Sequence, residues 1–313
     1  MMYTDPDTDI RQKLNPDSRE LLKNFTPISL ADMEQVKLMD RFDSKYWLHA
    51  RLLPSLLESM CRNYFILDVE GIREQRYKTI YFDTPANGFY LTHHNGKQNR
   101  IKIRKREYEN SRLAFLEIKF KSNKGKTSKI RIPTDAFSPV LSEREKNFIN
   151  CTCGYRIDAL AVKSFNHFNR ITLVSRQMNE RCTIDTNLLF GNLQTCRTIK
   201  DLVIIELKQE CYGKNTRLAK WLKTSRVYPE GFSKYCIGRA LSEPLLKRNN
   251  FKPKILSLEK SYSKAETAAE VWPMKPSGTG CILELTGNKL LKTLTAPAHL
   301  HTSDRPFKQE NKN

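Results

Sequence analysis

Residues 100–132 read RIKIRKREYENSRLAFLEIKFKSNKGKTSKIRI, and basic and apolar residues alternate along them. Successive side chains of an extended strand point to opposite faces of a sheet. In the first run, Arg100–Arg106, every second residue is a cation, while Ile101 and Ile103 take the other face. Two further runs repeat the pattern. The stretch therefore predicts three consecutive strands, each with a charged face and an apolar face.

The charged faces of these strands carry almost only cations. Eight Lys and Arg residues (100, 102, 104, 106, 119, 121, 129 and 131) stand against one carboxylate, Glu117. A solvated sheet face also alternates, but it usually mixes both signs because like charges on neighbouring strands repel. A solvated face stays open as the alternative, and the excess of cations favours a site for a polyanion.

The charge of the whole chain points the same way. Its 54 Lys and Arg residues exceed its 34 Asp and Glu residues by 20, among 313 residues. Nucleic acid, phosphates and anionic membrane surfaces are the partners that such a charge attracts. The sequence shows no secretory signal and no apolar run near the ~18 residues of a membrane span, so a cytoplasmic protein with eight reduced, scattered cysteines is predicted.

Three segments are expected along the chain. Residues 1–36 form a partly helical N-terminal segment, residues 37–248 hold the sheet, and residues 249–313 form a disordered tail because their periodicity is weak. Phe89–His94 is expected to be a short apolar element that leads through the Asn95-Gly96 turn into the next strand as a hairpin. His93 and His94 are expected at the surface.

About eight antiparallel strands are predicted between residues 41 and 210, several with basic residues at every second position. If the basic faces turn inward, the sheet closes into a barrel lined by cations. The predicted fold is thus α+β, a closed eight-stranded antiparallel β-barrel with helices packed outside. Burying so many like charges requires a multivalent anion, which makes the interior a candidate tunnel for polyphosphate.

Glu206 is an acidic residue among these cations. It shares a strand face with Lys208 in the run DLVIIELKQE, residues 201–210. A carboxylate there can hold a divalent metal that bridges phosphate oxygens, and a salt bridge with a neighbouring cation is the alternative. The same two interpretations apply to Glu117. The sequence contains no GxxxxGK[ST], HExxH or GxSxG motif.

Nine short motifs, in order over about residues 37 to 242, resemble the VTC domain, the polyphosphate polymerase branch of the triphosphate tunnel metalloenzyme (CYTH-like) superfamily. They are Lys45-Tyr-Trp47, Tyr81-Phe-Asp-Thr84, Arg104-Lys-Arg106, Leu116-Glu-Ile-Lys119, Lys126-Thr-Ser-Lys129, Asn169-Arg170, Arg181 with Asp185, Ile205-Glu-Leu-Lys208 and Phe232-Ser-Lys-Tyr235.

The resemblance implies an eight-stranded antiparallel tunnel in which basic side chains hold ATP and a growing polyphosphate, with Mn²⁺ or Mg²⁺ as the metal. The implied reaction passes the γ-phosphoryl group of ATP to a phosphate or chain end. Glu206 would hold the metal. ATP would be bound by Lys45, Arg104, Arg106, Lys119 and Lys208. The full set of implied phosphate contacts is Lys45, Arg104, Arg106, Lys119, Lys129, Arg170, Arg181, Lys208 and Lys234.

The chain departs from the family pattern at Gly231, where members can carry a basic residue. One phosphate contact is then missing, or Lys223 or Arg226 supplies it. The chain also lacks the N-terminal SPX domain and C-terminal membrane helices of eukaryotic relatives, so it resembles a stand-alone bacterial form. Its expected partners are ATP and polyphosphate, with no specific nucleic acid and no transmembrane segment.

Two other functions stay open. The first is hydrolysis of inorganic triphosphate or nucleoside triphosphates on the same fold, although the superfamily's hydrolases alternate two Glu and a Lys where this chain has Arg41, Asp43 and Lys45. That substitution favours the polymerase branch. The second is non-catalytic binding of a polyanion such as nucleic acid, which the net charge and interleaved aromatic residues suggest.

Overall fold

The computed structural model describes residues 14–34, 42–134, 137–153, 159–210, 216–262 and 267–268. Within these ranges, twelve strands share one hydrogen-bonded sheet. The strands are β1 Thr26–Ile28, β2 Phe42–His49, β3 Tyr64–Leu67, β4 Gln75–Asp83, β5 Arg100–Tyr108, β6 Leu113–Lys121, β7 Thr127–Pro133, β8 Ala161–Ser175, β9 Glu180–Gly191, β10 Cys196–Thr198, β11 Leu202–Gln209 and β12 Thr267–Ala268. The helices are α1 Pro16–Leu22, α2 Leu30–Glu34, α3 Leu53–Met60, α4 Gly88–His94, α5 Glu143–Cys153, α6 Arg217–Thr224, α7 Lys234–Ser242 and α8 Lys252–Ser261.

Eight of the strands form an antiparallel series in the order β2-β11-β9-β8-β4-β5-β6-β7. β3 pairs with β8, and β1 joins β3 as the one parallel pair. The mixed α+β architecture with an antiparallel sheet is as predicted. In the part of the chain that the structure describes, no ladder joins β7 to β2. Hydrogen bonds therefore do not close the sheet, and the closed barrel is not confirmed.

The outer face of the sheet is apolar and packs against helices. α3 and α6 cover one part of it, where Leu56 and Leu57 are buried with Ile184 and Ile205. α5 contributes to a second cluster, in which Ile103 lies among apolar residues of β4, β5 and β6. The predicted alternation is confirmed in β5, because Ile101 and Ile103 face this core while Arg104 and Arg106 face the other side.

α7 and α8 cover one end of the opposite, inner face. Ile237 and Leu258 from these helices share a buried cluster with Phe190 of β9 and Ile204 of β11. A Cβ atom at Gly238 would lie 2.8 Å from a ring carbon of Phe190. Glycine at this position therefore allows α7 to approach the sheet closely.

Residues 88–94 are helical, so the predicted hairpin at this point is wrong. The carboxylate of Asp83 accepts hydrogen bonds from the backbone N–H groups of Phe89 and Tyr90, both at 2.9 Å. Free N–H groups at a helix start need such acceptors, which explains why α4 forms here. His94 is also not at the surface: it is buried, and its Nε2 accepts a hydrogen bond from the backbone of Asn250 at 3.2 Å.

Ordered structure continues beyond the predicted boundary at residue 248. α8 buries Ile255 and Leu258, and Tyr262 just after it is also buried. Residues 249–262 are therefore part of the folded unit, because their apolar side chains pack on α7 and the sheet. The predicted tail beyond residue 268 lies outside the described residues. Within the described chain, no helix is long and apolar enough to cross a membrane.

Candidate functional site

The inner face of the sheet, defined by the side chains of Arg104, Glu117 and Glu206, carries the site predicted from the sequence. The register shows which inner-face residues are neighbours. Arg104 of β5 lies opposite Glu117 of β6, and Lys119 lies opposite Lys129 of β7. Toward the other end of the strand series, Glu206 of β11 lies on the same inner face, between β2 and β9. The opposed pairs there are Glu206 with Lys45, Glu206 with Thr183, Lys208 with Asp43 and Lys208 with Arg181.

Glu117 binds two of the predicted cations. Its carboxylate accepts hydrogen bonds from Arg104 at 2.7 Å (Nε) and 2.6 Å (Nη2), and it forms an ion pair with Lys129. Glu117 is 1% exposed. Burial alone would raise its pKa, but Arg104, Arg106 and Lys129 hold the pKa far below the usual range. The carboxylate is therefore ionised at neutral pH.

Asp185 forms a second such centre. Arg170 donates to its two oxygens from Nε at 2.6 Å and Nη2 at 2.8 Å, and Lys234 of α7 pairs with the same carboxylate. Burial opposes ionisation, yet Arg170 and Lys234 lower the pKa of Asp185 to about 2. The Arg170 guanidinium also lies over the rings of Tyr77 and Phe168, at 5.1 and 5.2 Å from their centroids. This packing and the two-point contact fix its orientation.

Glu206 is the third centre. It forms ion pairs with Lys45 and, at 3.0 Å, with Lys208, which also lies 3.5 Å from Asp43. Burial would raise its pKa, but the two lysines hold it well below the usual range. The salt bridges weighed as the alternative for Glu117 and Glu206 are thus present at both residues. On the inner face, each of these three acidic residues is bound by two cations.

The two ends of the strand series face each other across the site. Burial lowers the pKa of Lys119 on β6 to about 8; Glu206 opposes this shift, while Lys102, Arg104 and Lys45 add to it. Lys45 and Glu206 belong to β2 and β11, at the other end of the series from β6. Lys119 therefore lies close enough to Lys45 and Glu206 to interact with them, although their strands are far apart in the series.

Arg106 occupies the middle of the inner face. It donates from Nε to the hydroxyl of Thr79 at 3.2 Å, and its guanidinium lies over the Tyr77 and Phe168 rings that also contact Arg170. These two aromatic rings therefore bring together arginines from β5 and β8. All ten predicted site residues lie on the inner-face strands or, for Lys234, at the start of α7 over them.

Sequence reasoning did not include several inner-face residues in the site. Asp185 belongs with Arg181 to one of the nine motifs, but the motif implies no role for it. Tyr81 is another: burial would raise the pKa of its phenol, but Arg104, Arg106 and Asn166 lower it to about 8. The buried side-chain amide of Asn166 has no geometrically complete hydrogen bond in the described residues. The period-2 alternation of β4 and β8 could have identified both residues.

A lysine from α8 lies beside Gly231, the position where family members can carry a basic residue. Lys254 of α8 donates a hydrogen bond to the carbonyl of Gly231 and lies 3.2 Å from Glu230. The backbone N–H of Glu230 in turn donates to the carbonyl of Lys45 at 2.7 Å. Lys223 and Arg226, the predicted substitutes, are exposed.

The site offers a divalent metal few protein ligands. In the described ranges, no group of three His, Cys, Asp or Glu side chains could hold a metal ion. Glu206 offers one carboxylate, and both its oxygens contact lysine ammonium groups. Mg²⁺ is often bound through one or two carboxylates plus substrate phosphates and water. The site therefore fits a cation that arrives with phosphate ligands, and it does not form a protein cage for one.

The chain was compared with known proteins. No curated protein matches it in sequence. Similar solved structures include a proposed adenylate cyclase from Bacillus halodurans, 12% identical, covering 62% of this chain and 94% of that chain with a TM-score of 0.38. A proposed adenylyl cyclase from Hippeastrum, reported to have a dominant triphosphatase activity, is 14% identical, covers 65% and 97%, and has a TM-score of 0.43. The PH1819 protein from Pyrococcus horikoshii is 13% identical, covers 64% and 98%, and has a TM-score of 0.37.

The family comparison covers more than half of the chain. The family model for the VTC domain matches residues 40–243, which include every inner-face strand from β2 to β11 and α7. The chain belongs to the VTC domain family.

Proposed function

We propose that the protein is a polyphosphate polymerase, which transfers the γ-phosphoryl group of ATP to the end of a polyphosphate chain. The observation that carries this proposal is the arrangement of the inner face, where three ionised carboxylates are each bound by two cations. Family membership supports it independently.

In this proposal the inner-face cations bind phosphate oxygens. Phosphoryl transfer passes through a loose transition state with charge on the equatorial oxygens, so positioning and charge neutralisation supply most of the catalysis. Two contacts to one oxygen of Glu117 hold Arg104 in place before substrate arrives. Arg170 is held by both oxygens of Asp185 and by packing on the Phe168 ring. The proposed phosphate ligands are Lys45, Arg104, Arg106, Lys119, Lys129, Arg170, Arg181, Lys208 and Lys234.

The carboxylates Glu117, Asp185 and Glu206 are unsuited to activating water, which supports transfer to a phosphate acceptor. A water nucleophile benefits from a general base with a pKa near the working pH. Asp185 has a pKa of about 2, and the pKa values of Glu117 and Glu206 are also far too low for this role. Tyr81, with a pKa of about 8, is mostly protonated at pH 7, and its oxygen accepts a hydrogen bond from Arg104. A phosphate chain end is already anionic and needs no base.

A divalent cation fits the proposal as a companion of the substrate. Glu206 would be its protein ligand, and phosphate oxygens would complete its coordination. When bound, Mn²⁺ or Mg²⁺ would neutralise charge on the phosphates. Lys45 and Lys208 hold the Glu206 carboxylate ionised, as binding of a cation requires.

The proposal is tested by incubating the purified protein with ATP and Mn²⁺ and separating the products. We expect ADP together with chains that stain as polyphosphate on a gel. Arg104→Gln should reduce polymer formation by about a hundredfold, since one lost charge-assisted contact in a transition state costs about 3 kcal/mol. Arg144→Gln, at an exposed position on α5, is the matched control and should retain activity.

The same assay separates the other two functions. ADP with free orthophosphate and no polymer would identify a triphosphate hydrolase and contradict the proposal. Tight binding of RNA or DNA without ATP turnover would identify a nucleic-acid binder. The lowered pKa values of Glu117, Asp185 and Glu206 count against hydrolysis, because these carboxylates are poor general bases near neutral pH.

A further inference from the structure

Part of the inner face holds cations without a partner carboxylate. Arg100 of β5 lies opposite Lys121 of β6, and Lys102 lies opposite Lys119, which in turn lies opposite Lys129 of β7. The next row toward Arg104 contains Glu117. Directly opposed residues in antiparallel strands have Cβ atoms about 5 Å apart, and opposed like charges are destabilising. Lys129 pairs with Glu117 of the neighbouring row, but these two rows contain no acidic residue of their own.

Few polar contacts balance the positive charges of Arg100, Lys102 and Lys121. Lys102 donates a hydrogen bond to the hydroxyl of Ser233 at 3.0 Å. Within the described residues, the side chains of Arg100 and Lys121 have no hydrogen bond or ion pair. Both side chains are nevertheless half-buried and not extended into bulk water. Solvent surrounds the charge of an ordinary surface lysine. The charges of Arg100 and Lys121 are partly shielded from solvent and are not balanced by a nearby carboxylate.

A residue from another element lies beside the same rows. His93 of α4 interacts with Lys102, Arg100 and Lys121, and burial, followed by these three cations, lowers its pKa to about 3. The imidazole is therefore neutral at physiological pH. Its buried Nδ1 has no hydrogen-bond partner among the described residues. A neutral imidazole beside three cations can donate a hydrogen bond to an anion that the cations attract.

We propose that Arg100, Lys102, Lys121 and His93 form a subsite for the distal phosphates of a polyphosphate chain. The inference rests on the proposed function, because it assigns the path of the polymer beyond the reacting phosphates. From Arg104 to Arg100, β5 extends about 13 Å. A short chain bound by the cations of the three acidic centres can end before these rows. A longer chain continues over them and relieves the repulsion between Arg100 and Lys121.

The test compares the binding of two probes, tripolyphosphate and long-chain polyphosphate, without turnover. In the variant Arg100→Gln/Lys121→Gln, we expect the Kd for long-chain polyphosphate to rise about tenfold, because two partly exposed cations no longer contact the chain. The Kd for tripolyphosphate should stay within about twofold. The salt dependence of long-chain binding should also become weaker, since fewer cations contact the chain.

The control is Arg144→Gln/Lys220→Gln, which removes one Arg and one Lys from exposed positions on α5 and α6. It should leave both Kd values unchanged. An equal loss of affinity for both probes, or no loss for the long chain, would overturn the proposed subsite. If the double variant does not fold, Lys121→Gln alone repeats the comparison, and a thermal unfolding curve verifies its fold.

Failure of the subsite and failure of the polymerase are distinguishable in these measurements. The binding comparison stands even if the protein makes no polymer. If it does make polymer, the double variant should release shorter chains while the KM for ATP stays near that of the parent. A variant with normal chain lengths and unchanged long-chain affinity would contradict the subsite while leaving the polymerase intact.

Discussion

The Tyr235 hydroxyl donates a hydrogen bond to the carboxylate of Asp83, and this contact joins α7 to the end of β4. Asp83 also accepts backbone hydrogen bonds from the start of α4, and Arg239 of α7 lies 3.3 Å from it. Both Asp83 and Arg239 are fully buried. The residue before Tyr235 is Lys234, which pairs with Asp185 on the inner face. One buried carboxylate thus positions the helix that delivers a cation to the site.

Tyr235→Phe should lower the free energy of unfolding by about 1.5–3 kcal/mol, because it removes a buried hydrogen bond to a charged group. Small movements of α7 would also shift Lys234, so we expect the KM for ATP to rise. Urea unfolding and steady-state kinetics measure the two effects. Tyr228→Phe, at a side chain that is 69% exposed, is the matched control and should change neither. Equal stability of both variants would argue against this role of Tyr235.

Glu117→Gln should destabilise the protein in the absence of phosphates. Arg104 and Lys129 lose their shared carboxylate, and a broken buried ion pair costs about 3–5 kcal/mol, reduced here because Lys129 is 42% exposed. Added tripolyphosphate can bind the released cations, so it should raise the Tm of this variant more than that of the parent. A thermal shift assay with and without tripolyphosphate checks this. Glu143→Gln, at an exposed carboxylate on α5, should behave like the parent.

The pH dependence of binding should be opposite in sign to that of stability. Burial lowers the pKa values of Lys119, Lys129 and Lys234 to about 8, despite the nearby acidic residues. Between about pH 8 and the ordinary lysine pKa near 10.4, the unfolded chain binds more protons than the folded one, so these groups make stability rise with pH. Phosphate binding needs the charged lysines and should weaken as pH increases through 8.

This pair of trends is measured by titrating tripolyphosphate at pH 7 and pH 9.5 and by urea unfolding of the free protein over the same range. Affinity should fall while the contribution of these lysines to stability increases. Affinity that is unchanged between the two pH values would show that these lysines do not bind the probe.

Lys105→Met should be strongly destabilising, although its neighbours Arg104 and Arg106 lie on the inner face. Lys105 is buried on the outer side, 2.9 Å from Glu145 and 2.8 Å from the carbonyl of Val140. Removing it leaves the Glu145 carboxylate buried, at a cost of about 3–5 kcal/mol. The double variant Lys105→Met/Glu145→Leu should recover much of that loss, because it removes both charges.

The measurement is chemical unfolding of the single and double variants. The folded double variant should also keep its affinity for tripolyphosphate, since Lys105 does not face the site. A loss of affinity as large as that of Arg104→Gln would contradict the assignment of Lys105 to the outer core.

The sheet and its basic face follow from alternation alone. A strand has a side-chain period of two, so the positions of Ile103 and Arg104 on opposite faces could be derived without any knowledge of distant contacts. The same reasoning placed Glu206 beside Lys208. Which strands pair across the sheet is a long-range property, and local pattern does not specify that Lys45 meets Glu206 or that Arg170 meets Asp185.

Helices were harder to derive where their stability comes from tertiary contacts. α4 depends on the Asp83 carboxylate as its N-terminal acceptor, and Asn87 just before it has a left-handed backbone with φ of +61°. α8 has a weak apolar pattern, and only its packing against α7 and the sheet reveals why Ile255 and Leu258 are buried. The closure of the sheet depends equally on distant strands, and the alternation of residues 100–132 carries no information about it.

The three acidic centres have a consequence for how the site can change state. In each centre one carboxylate holds two cations in position as a stand-in for a phosphate, and at the Glu206 centre Lys208 also lies 3.5 Å from Asp43. In the proposed function, an incoming chain would take the place of these internal anions one carboxylate at a time. If the protein is the proposed polymerase, successive phosphates would pass between centres that already hold two cations each.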